Sequence, residues 1–140
     1  MATAPSLPGI LETALYVDDL DAAAAFYRDV IGLAEHVRVE GRHVFMRCAD
    51  SMLLLFNPDA TQEAAGGKFP VPPHGAQGPG HMCFRVAPGE TQGWADHLTA
   101  LGIPIEADFE WPNGTRSIYV RDPAQNSVEF AEASLWGFET

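Results

Sequence analysis

One histidine and two glutamates are the residues of this chain whose types and setting suit metal chemistry. Glu12 lies in residues 10–17, His81 in 80–86 and Glu129 in 127–131, each a segment with the alternation of a β-strand. An imidazole with two carboxylates is a ligand set of intermediate hardness, suited to Fe(II), Mn(II), Co(II), Ni(II) or Zn(II). Three protein ligands leave positions for water and substrate, which catalysis needs and a structural site does not. The two carboxylates also cancel the charge of a dication, so a substrate chelating through two oxygens would build up no excess positive charge. A metal held there would act as a Lewis acid or an orienting template, and Fe(II) could hold substrate and dioxygen together. Unmetallated, Glu12 reads instead as a buried acid or general base.

The elements that must position these residues occur twice. In residues 80–86, Met82, Phe84 and Val86 alternate with His81, Cys83 and Arg85, so the apolar set faces a buried layer and His81 looks the other way. Residues 10–17 alternate likewise, and Asp19 then suits the N-cap of a helix over 20–31 that Gly32 ends. Strands are predicted over 34–40 and 42–48, turned by Gly41, and over 52–56. The second copy has a helix over 91–101 stopped by Gly102, strands over 105–109 and 116–121, a turn over 122–126 and a last strand over 127–131. Each half reads β-α-β-β-β, and an internal repeat of this kind outranks any single motif. Between the halves, residues 57–79 carry five prolines and scattered glycines, which predicts a long loop with no regular element, a linker or a lid.

Length and charge bound the partners. A chain of 140 residues is long enough for one core without disulfide or metal staples. Its net charge of −11 argues against nucleic acid or an anionic membrane, though not against an anionic substrate. No apolar run approaches the roughly 20 residues of a membrane span. Residues 1–9 lack the basic head and apolar segment of a signal peptide, which leads us to expect a flexible start on a cytoplasmic protein. Cys48 and Cys83, without metal-type spacing, read as reduced and buried.

Other residues are candidates for the chemistry. His74, in the loop, could serve as general acid–base on a closing lid, against the plainer reading of a solvated histidine. Arg116 could reach a substrate anion from the start of its strand, against the reading of an exposed arginine. Alternation puts Ser117, Tyr119 and Arg121 on one face and Arg116, Ile118 and Val120 on the other, with Tyr119 facing either a pocket or the core. Trp111 caps a turn or walls the pocket, His36, His43 and His97 read as surface or edge residues, and Phe26 and Trp94 as core.

The motifs Tyr16-Val17-Asp18-Asp19-Leu20, Phe26 through Leu33, Gly80-His81, and Tyr119-Val120-Arg121-Asp122-Pro123 running to Val128-Glu129-Phe130 resemble the vicinal-oxygen-chelate superfamily. That superfamily comprises glyoxalase I, bleomycin-resistance proteins, fosfomycin-resistance enzymes and extradiol dioxygenases, and the resemblance covers residues 10–132. It implies an α+β fold in which two βαβββ modules, over 10–57 and 80–132, form a curved mixed sheet cupping a metal, with a loop over 58–79 and a tail over 133–140. The ligand positions map onto Glu12, His81 and Glu129, and Tyr119 resembles a substrate-binding tyrosine of the fosfomycin-resistance enzymes. Glyoxalase I has a fourth ligand on the last strand of module one, where this chain reads Met52-Leu53-Leu54-Leu55-Phe56. The family's last turn usually carries Asp-Gly where this chain has Ala124-Gln125. The resemblance further implies a homodimer in which Glu12 comes from one subunit and His81 and Glu129 from the other, with Trp136 and Phe138 packing on the neighbour. Two functions follow: a divalent-metal-dependent lyase, isomerase or dioxygenase acting on a small oxygen-chelating substrate, with Glu129, Tyr119 and His74 as its catalytic groups, or a bleomycin-resistance-type protein that binds a drug without chemistry.

Overall fold

The computed structural model describes residues 3–138; the expected flexible start at residues 1–2 and the tail's end at 139–140 lie outside them. In chain order the elements are β1 (Glu12–Tyr16), α1 (Leu20–Ala25), β2 (Ala34–Val39), β3 (His43–Cys48), β4 (Ser51–Phe56), α2 (Pro58–Thr61), β5 (His81–Val86), α3 (Thr91–Ala100), β6 (Ala107–Glu110), β7 (Arg116–Arg121) and β8 (Ser127–Glu132). They form two four-stranded sheets of matching topology, ordered β1-β4-β3-β2 and β5-β8-β7-β6, in which the first and last strands of each module pair in parallel. The α+β architecture and the repeat of two βαβββ modules are as expected. Among the described residues no helix is long and apolar enough to cross a membrane.

Period-2 alternation divides each sheet into two faces. Leu15, Val44, Met46, Leu53 and Leu55 from the first sheet and Phe84, Val86, Ile118, Val120, Val128 and Phe130 from the second are buried in one core with residues of α1 and α3. The opposite faces carry Glu12, His43, Arg47, His81, Tyr119 and Glu129, so the chemistry-bearing set is displayed where the helices do not pack. Helix α1 starts on a local cap, and both module helices stop by local means. The Asp19 carboxylate accepts the Ala22 amide at 3.0 Å, and Gly32 and Gly102, at φ +90° and +73°, reverse the chain beyond α1 and α3 in a region L side chains avoid. Helix α1 widens into a π-turn over Phe26–Val30, and the consecutive Phe26 and Tyr27 are both buried there.

A buried polar knot joins the modules. Asp122, 1% exposed, accepts from the Tyr27 hydroxyl at 2.8 Å, from the Ala124 and Asn126 amides at 2.9 Å each, and from the Asn126 side chain at 3.0 Å. Asn126 Nδ2 also donates to the Tyr16 carbonyl at 3.1 Å, and its Oδ1 accepts the Gly80 amide at 2.7 Å. A Cβ on Gly80 would sit 3.4 Å from that oxygen and 3.5 Å from Leu15, so the chain passes closely here. The end of β1, the entry to β5 and the β7–β8 turn are thereby held in one place.

Several expectations need correction. The first strand begins at Glu12 rather than Ile10, because Ile10 and Leu11 are exposed and outside the sheet. The strand expected at 105–109 runs over Ala107–Glu110. The loop is not wholly irregular: Asn57 Oδ1 accepts the Asp59 and Ala60 amides at 3.0 and 3.3 Å, and Pro58 occupies the first helical position, where its missing N–H costs nothing. Both cysteines are free, but Cys83 is exposed and Cys48 half-buried, since Cys83 alternates onto the face away from the core.

The knot and its turn give two opposed expectations. Asn126→Ala strands the Gly80 amide, the Tyr16 carbonyl and one acceptor site of Asp122, and should cost about 3 kcal/mol, lowering Tm by roughly 10 °C. Gln125, at φ +70°, holds a left-handed backbone unfavourable for any side chain. Gln125→Gly should therefore raise stability by about 1 kcal/mol, read in the same thermal melts.

Candidate metal centre and cavity

Parallel pairing of β5 with β8 sets Cys83 opposite Glu129 and His81 opposite Ser127. The His81 ring Nδ1 lies 3.0 Å from the Ser127 carbonyl, which can only accept, so Nδ1 carries a proton and, in the neutral ring, Nε2 carries the lone pair. Nε2 faces Glu129 Oε1 at 3.3 Å. A lone pair and a carboxylate oxygen at that separation repel unless a cation stands with them, a proton or a metal ion. The other oxygen, Oε2, accepts from Ser117 Oγ at 2.6 Å, and Ser117 in turn accepts from Trp111 Nε1 at 2.8 Å. Glu129 is 5% exposed and fixed by this chain of hydrogen bonds, whereas the His81 side chain is 52% exposed. A ring oriented by a backbone carbonyl and a carboxylate oriented by a hydroxyl are the supports that metal ligands require. The donor set therefore fits a divalent metal.

Tyr119, opposite Glu129 in the β7–β8 register, stacks near His81 with ring centroids 6.2 Å apart and on Phe109 at 5.8 Å. Burial and the neighbouring Glu129 charge hold its phenol above the usual tyrosine range, so it stays a hydroxyl. Although Cys83 is exposed as a residue, its sulfur is partly desolvated against the sheet, and this with the Glu129 charge pushes the thiol up to about 12.

Glu12 stands on the other sheet. Within one chain, and among the described residues, no three His, Cys, Asp or Glu side chains gather at metal-binding distance. Glu12 instead lines a cavity of about 880 Å³ on the helix-free face of the first sheet, with Phe45, Phe56 and Arg47 in its walls and Phe69 and Val71 of the loop over it. His74 also lines this cavity. Its Nδ1 lies 2.7 Å from the Tyr16 hydroxyl, and its ring meets Phe56 edge-on at 4.6 Å. The loop is docked there through the His74 amide, which donates to the Thr61 carbonyl at 2.9 Å, and through Gly75. A Cβ on Gly75 would come within 2.7 Å of Gln62 Cγ and 3.1 Å of the Pro58 carbonyl.

Two sequence expectations fail here. Arg116 does not reach this face: it pairs with Asp108 at 2.7 Å and donates to Gln92 of α3 at 2.7 Å, because it alternates with Ser117 onto the helix-covered side. His43 is not a plain edge residue but half-buried in the cavity floor, stacked on Phe45 at 4.0 Å. Ser117 and Tyr16 were not singled out as functional groups. Ser117 was legible in principle as the residue two before Tyr119, on the same face of β7.

Paired βαβββ modules that leave a histidine–carboxylate pair on one sheet and a carboxylate-edged cavity on the other define a class of small-molecule-binding folds. The chain belongs to the Glyoxalase/Bleomycin resistance protein/Dioxygenase superfamily, whose family model matches residues 9–130. It is similar to the crystal structure of a lactoylglutathione lyase from Agrobacterium tumefaciens, at 50% identity and TM-score 0.91 over 96% of this chain and 100% of that one. A glyoxalase/bleomycin resistance protein/dioxygenase from Nocardioides shares the fold at 23% identity and TM-score 0.71, covering 92% and 85% of the two chains. A fosfomycin resistance protein from Listeria monocytogenes does so at 20% identity and TM-score 0.66, covering 94% and 98%. No curated protein matches.

If the Glu129 charge raises the Tyr119 phenol, removing it must let that phenol ionise at lower pH. In Glu129→Gln one of the three tyrosines should titrate at lower pH than in the parent, followed by ultraviolet difference absorption.

Proposed function

We propose that the protein is a divalent-metal-dependent lyase of its superfamily, acting on a small substrate that presents two neighbouring oxygens. The observation that carries this reading is the His81–Glu129 pair, whose Nε2 lone pair and carboxylate oxygen face each other at 3.3 Å with both groups oriented from behind. Likeness at 50% identity to a protein described as a lactoylglutathione lyase supports lyase chemistry. When bound, the dication would draw electron density from the substrate oxygens as a Lewis acid.

The third ligand in this reading is Glu12 of a second subunit, and the homodimer follows from it. Its support is the separation of Glu12 from the other two within one chain, and its place at the edge of the cavity. Met52, Leu54 and Phe56 fill the adjoining face of β4 and offer no fourth ligand, which supports a three-ligand centre. Tyr119, kept as a hydroxyl, would donate to a substrate oxygen. His74, bonded to Tyr16, would hold or release a proton on the cavity wall.

A non-catalytic, drug-binding role is the second reading, favoured by the size and aromatic walls of the cavity. Metal analysis of protein purified without chelator separates the two. The parent should carry close to one divalent ion per chain and Glu129→Ala should lose it; unchanged metal content in that variant would defeat the enzyme reading. Mixing unfolded and refolded Glu12→Ala with Glu129→Ala should restore metal binding, because one site of each mixed dimer is then intact. No recovery would reject the shared site.

A further inference from the structure

We infer that the module-one cavity selects a small aromatic carboxylate, its ring lying against Phe45 and Phe56 and its anionic end meeting Arg47 and His36. The inference deepens the proposed function by naming the chemical class its site takes, and it rests on that reading only in placing the substrate in this cavity.

Charge is the first observation. Acidic residues outnumber lysines and arginines by 19 to 8 in this chain. Of the seven arginines, Arg28, Arg38, Arg116 and Arg121 are paired with carboxylates, and Arg85, on the second sheet, has no such partner among the described residues. Arg42 and Arg47, which line the cavity, have no carboxylate partner among the described residues: Arg42 donates to the Ala60 carbonyl at 3.1 Å and Arg47 to His36 Nδ1 at 3.3 Å. Glu12 and Asp50 line the same cavity, yet neither arginine forms an ion pair with them, which leaves Arg47 open to an anion brought from outside. Arg47 is exposed, so its planar fork is available for a carboxylate held by two parallel hydrogen bonds.

The second observation is the shape of the floor. His43 and Phe45 lie stacked at 4.0 Å with their planes 10° apart, and Phe56 meets both edge-on at 5.9 and 5.5 Å. These rings pack on one another into an aromatic floor, against which a flat ring gains more than an alkyl chain. Phe45 and Arg47 are two residues apart on β3 and so share a face, roughly 7 Å from Cα to Cα. That spacing suits a ring with a carboxylate one or two bonds away. Thirdly, His43 Nδ1 in this floor is shielded from solvent and has no hydrogen-bond partner among the described residues. A buried polar atom without a partner is uncommon, and a turn of the His43 ring would bring it to a hydroxyl on the ligand.

Three probes that share a hydroxyl beside a second oxygen separate ring from charge. Mandelate has both, lactate lacks the ring, and 1-phenyl-1,2-ethanediol lacks the charge. Isothermal titration should show mandelate binding at least tenfold more tightly than either of the others. Arg47→Gln should reduce mandelate affinity by at least tenfold without changing that for the diol, and Phe45→Leu should bring mandelate close to lactate. The Arg47 dependence should appear in chelator-stripped protein as well as with Mn(II) present. Equal binding of mandelate and either control, or mandelate binding indifferent to Arg47, would overturn the inference. Metal content of Arg47→Gln, measured alongside, should match the parent, so that mandelate binding left unchanged in that variant, with metal retained, counts against this inference alone.

Discussion

The structure depends on the buried meeting of Asp122 and Asn126 with Tyr16, Tyr27 and Gly80. Four donor atoms converge on the two Asp122 oxygens, and burial next to this carboxylate keeps the Tyr27 hydroxyl protonated far above its ordinary range. A buried acid is tolerable only when its lone pairs are satisfied, so the residues supplying the donors must keep their places together. They come from module one, as Tyr27, and from the last turn, as Ala124 and Asn126, and Asn126 in turn holds Gly80 at the entry to β5. The Ser127 amide donates to the Gly80 carbonyl at 2.9 Å, which begins the β5–β8 register from the same point. His81 then lies across from Ser127, and Glu129 two residues on. The geometry of the candidate metal centre is thus set by a polar cluster that takes no part in its chemistry.

Each sheet gives one face to the core and keeps one for display. Burial of the alternating valines, leucines and phenylalanines under α1 and α3 stabilises the fold, while the other faces need only be polar enough to remain open. The displayed faces differ. The second sheet holds the compact His81–Glu129 pair, with Ser117 and Trp111 hydrogen-bonded in line behind Glu129. The first holds an aromatic cavity with arginines, roofed by the loop. Neither face by itself contains all three proposed ligands, and joining the two is what a second subunit would accomplish.

Much of this was legible in the chain. Helix ends follow from Asp19, Gly32 and Gly102, and strand faces from period-2 alternation, because both are set by neighbours close in sequence. Alternation also placed His81 and Glu129 away from the core. It could equally have placed Arg116 with its helix-covered neighbours Ile118 and Val120, since the same rule had separated it from Ser117. Of the groups that hold its guanidinium, Asp108 lies across the β6–β7 hairpin, while Gln92 comes from α3, whose packing on this sheet could not be read from the sequence. The change from Asp-Gly to Ala124-Gln125 had no interpretation until the backbone showed φ +70° at Gln125.

By itself the sequence determined the repeated βαβββ modules, the long loop between them, and which residue types could bind a metal. These rest on local hydrogen bonding and on the side-chain period of strands, which do not depend on distant parts of the chain. Only the tertiary structure decided that His81 presents Nε2 rather than Nδ1, that Ser117 stands behind Glu129, and that Glu12 belongs to a separate aromatic cavity. Those facts depend on which strands lie side by side and in what register, and register is a contact between residues far apart in the chain.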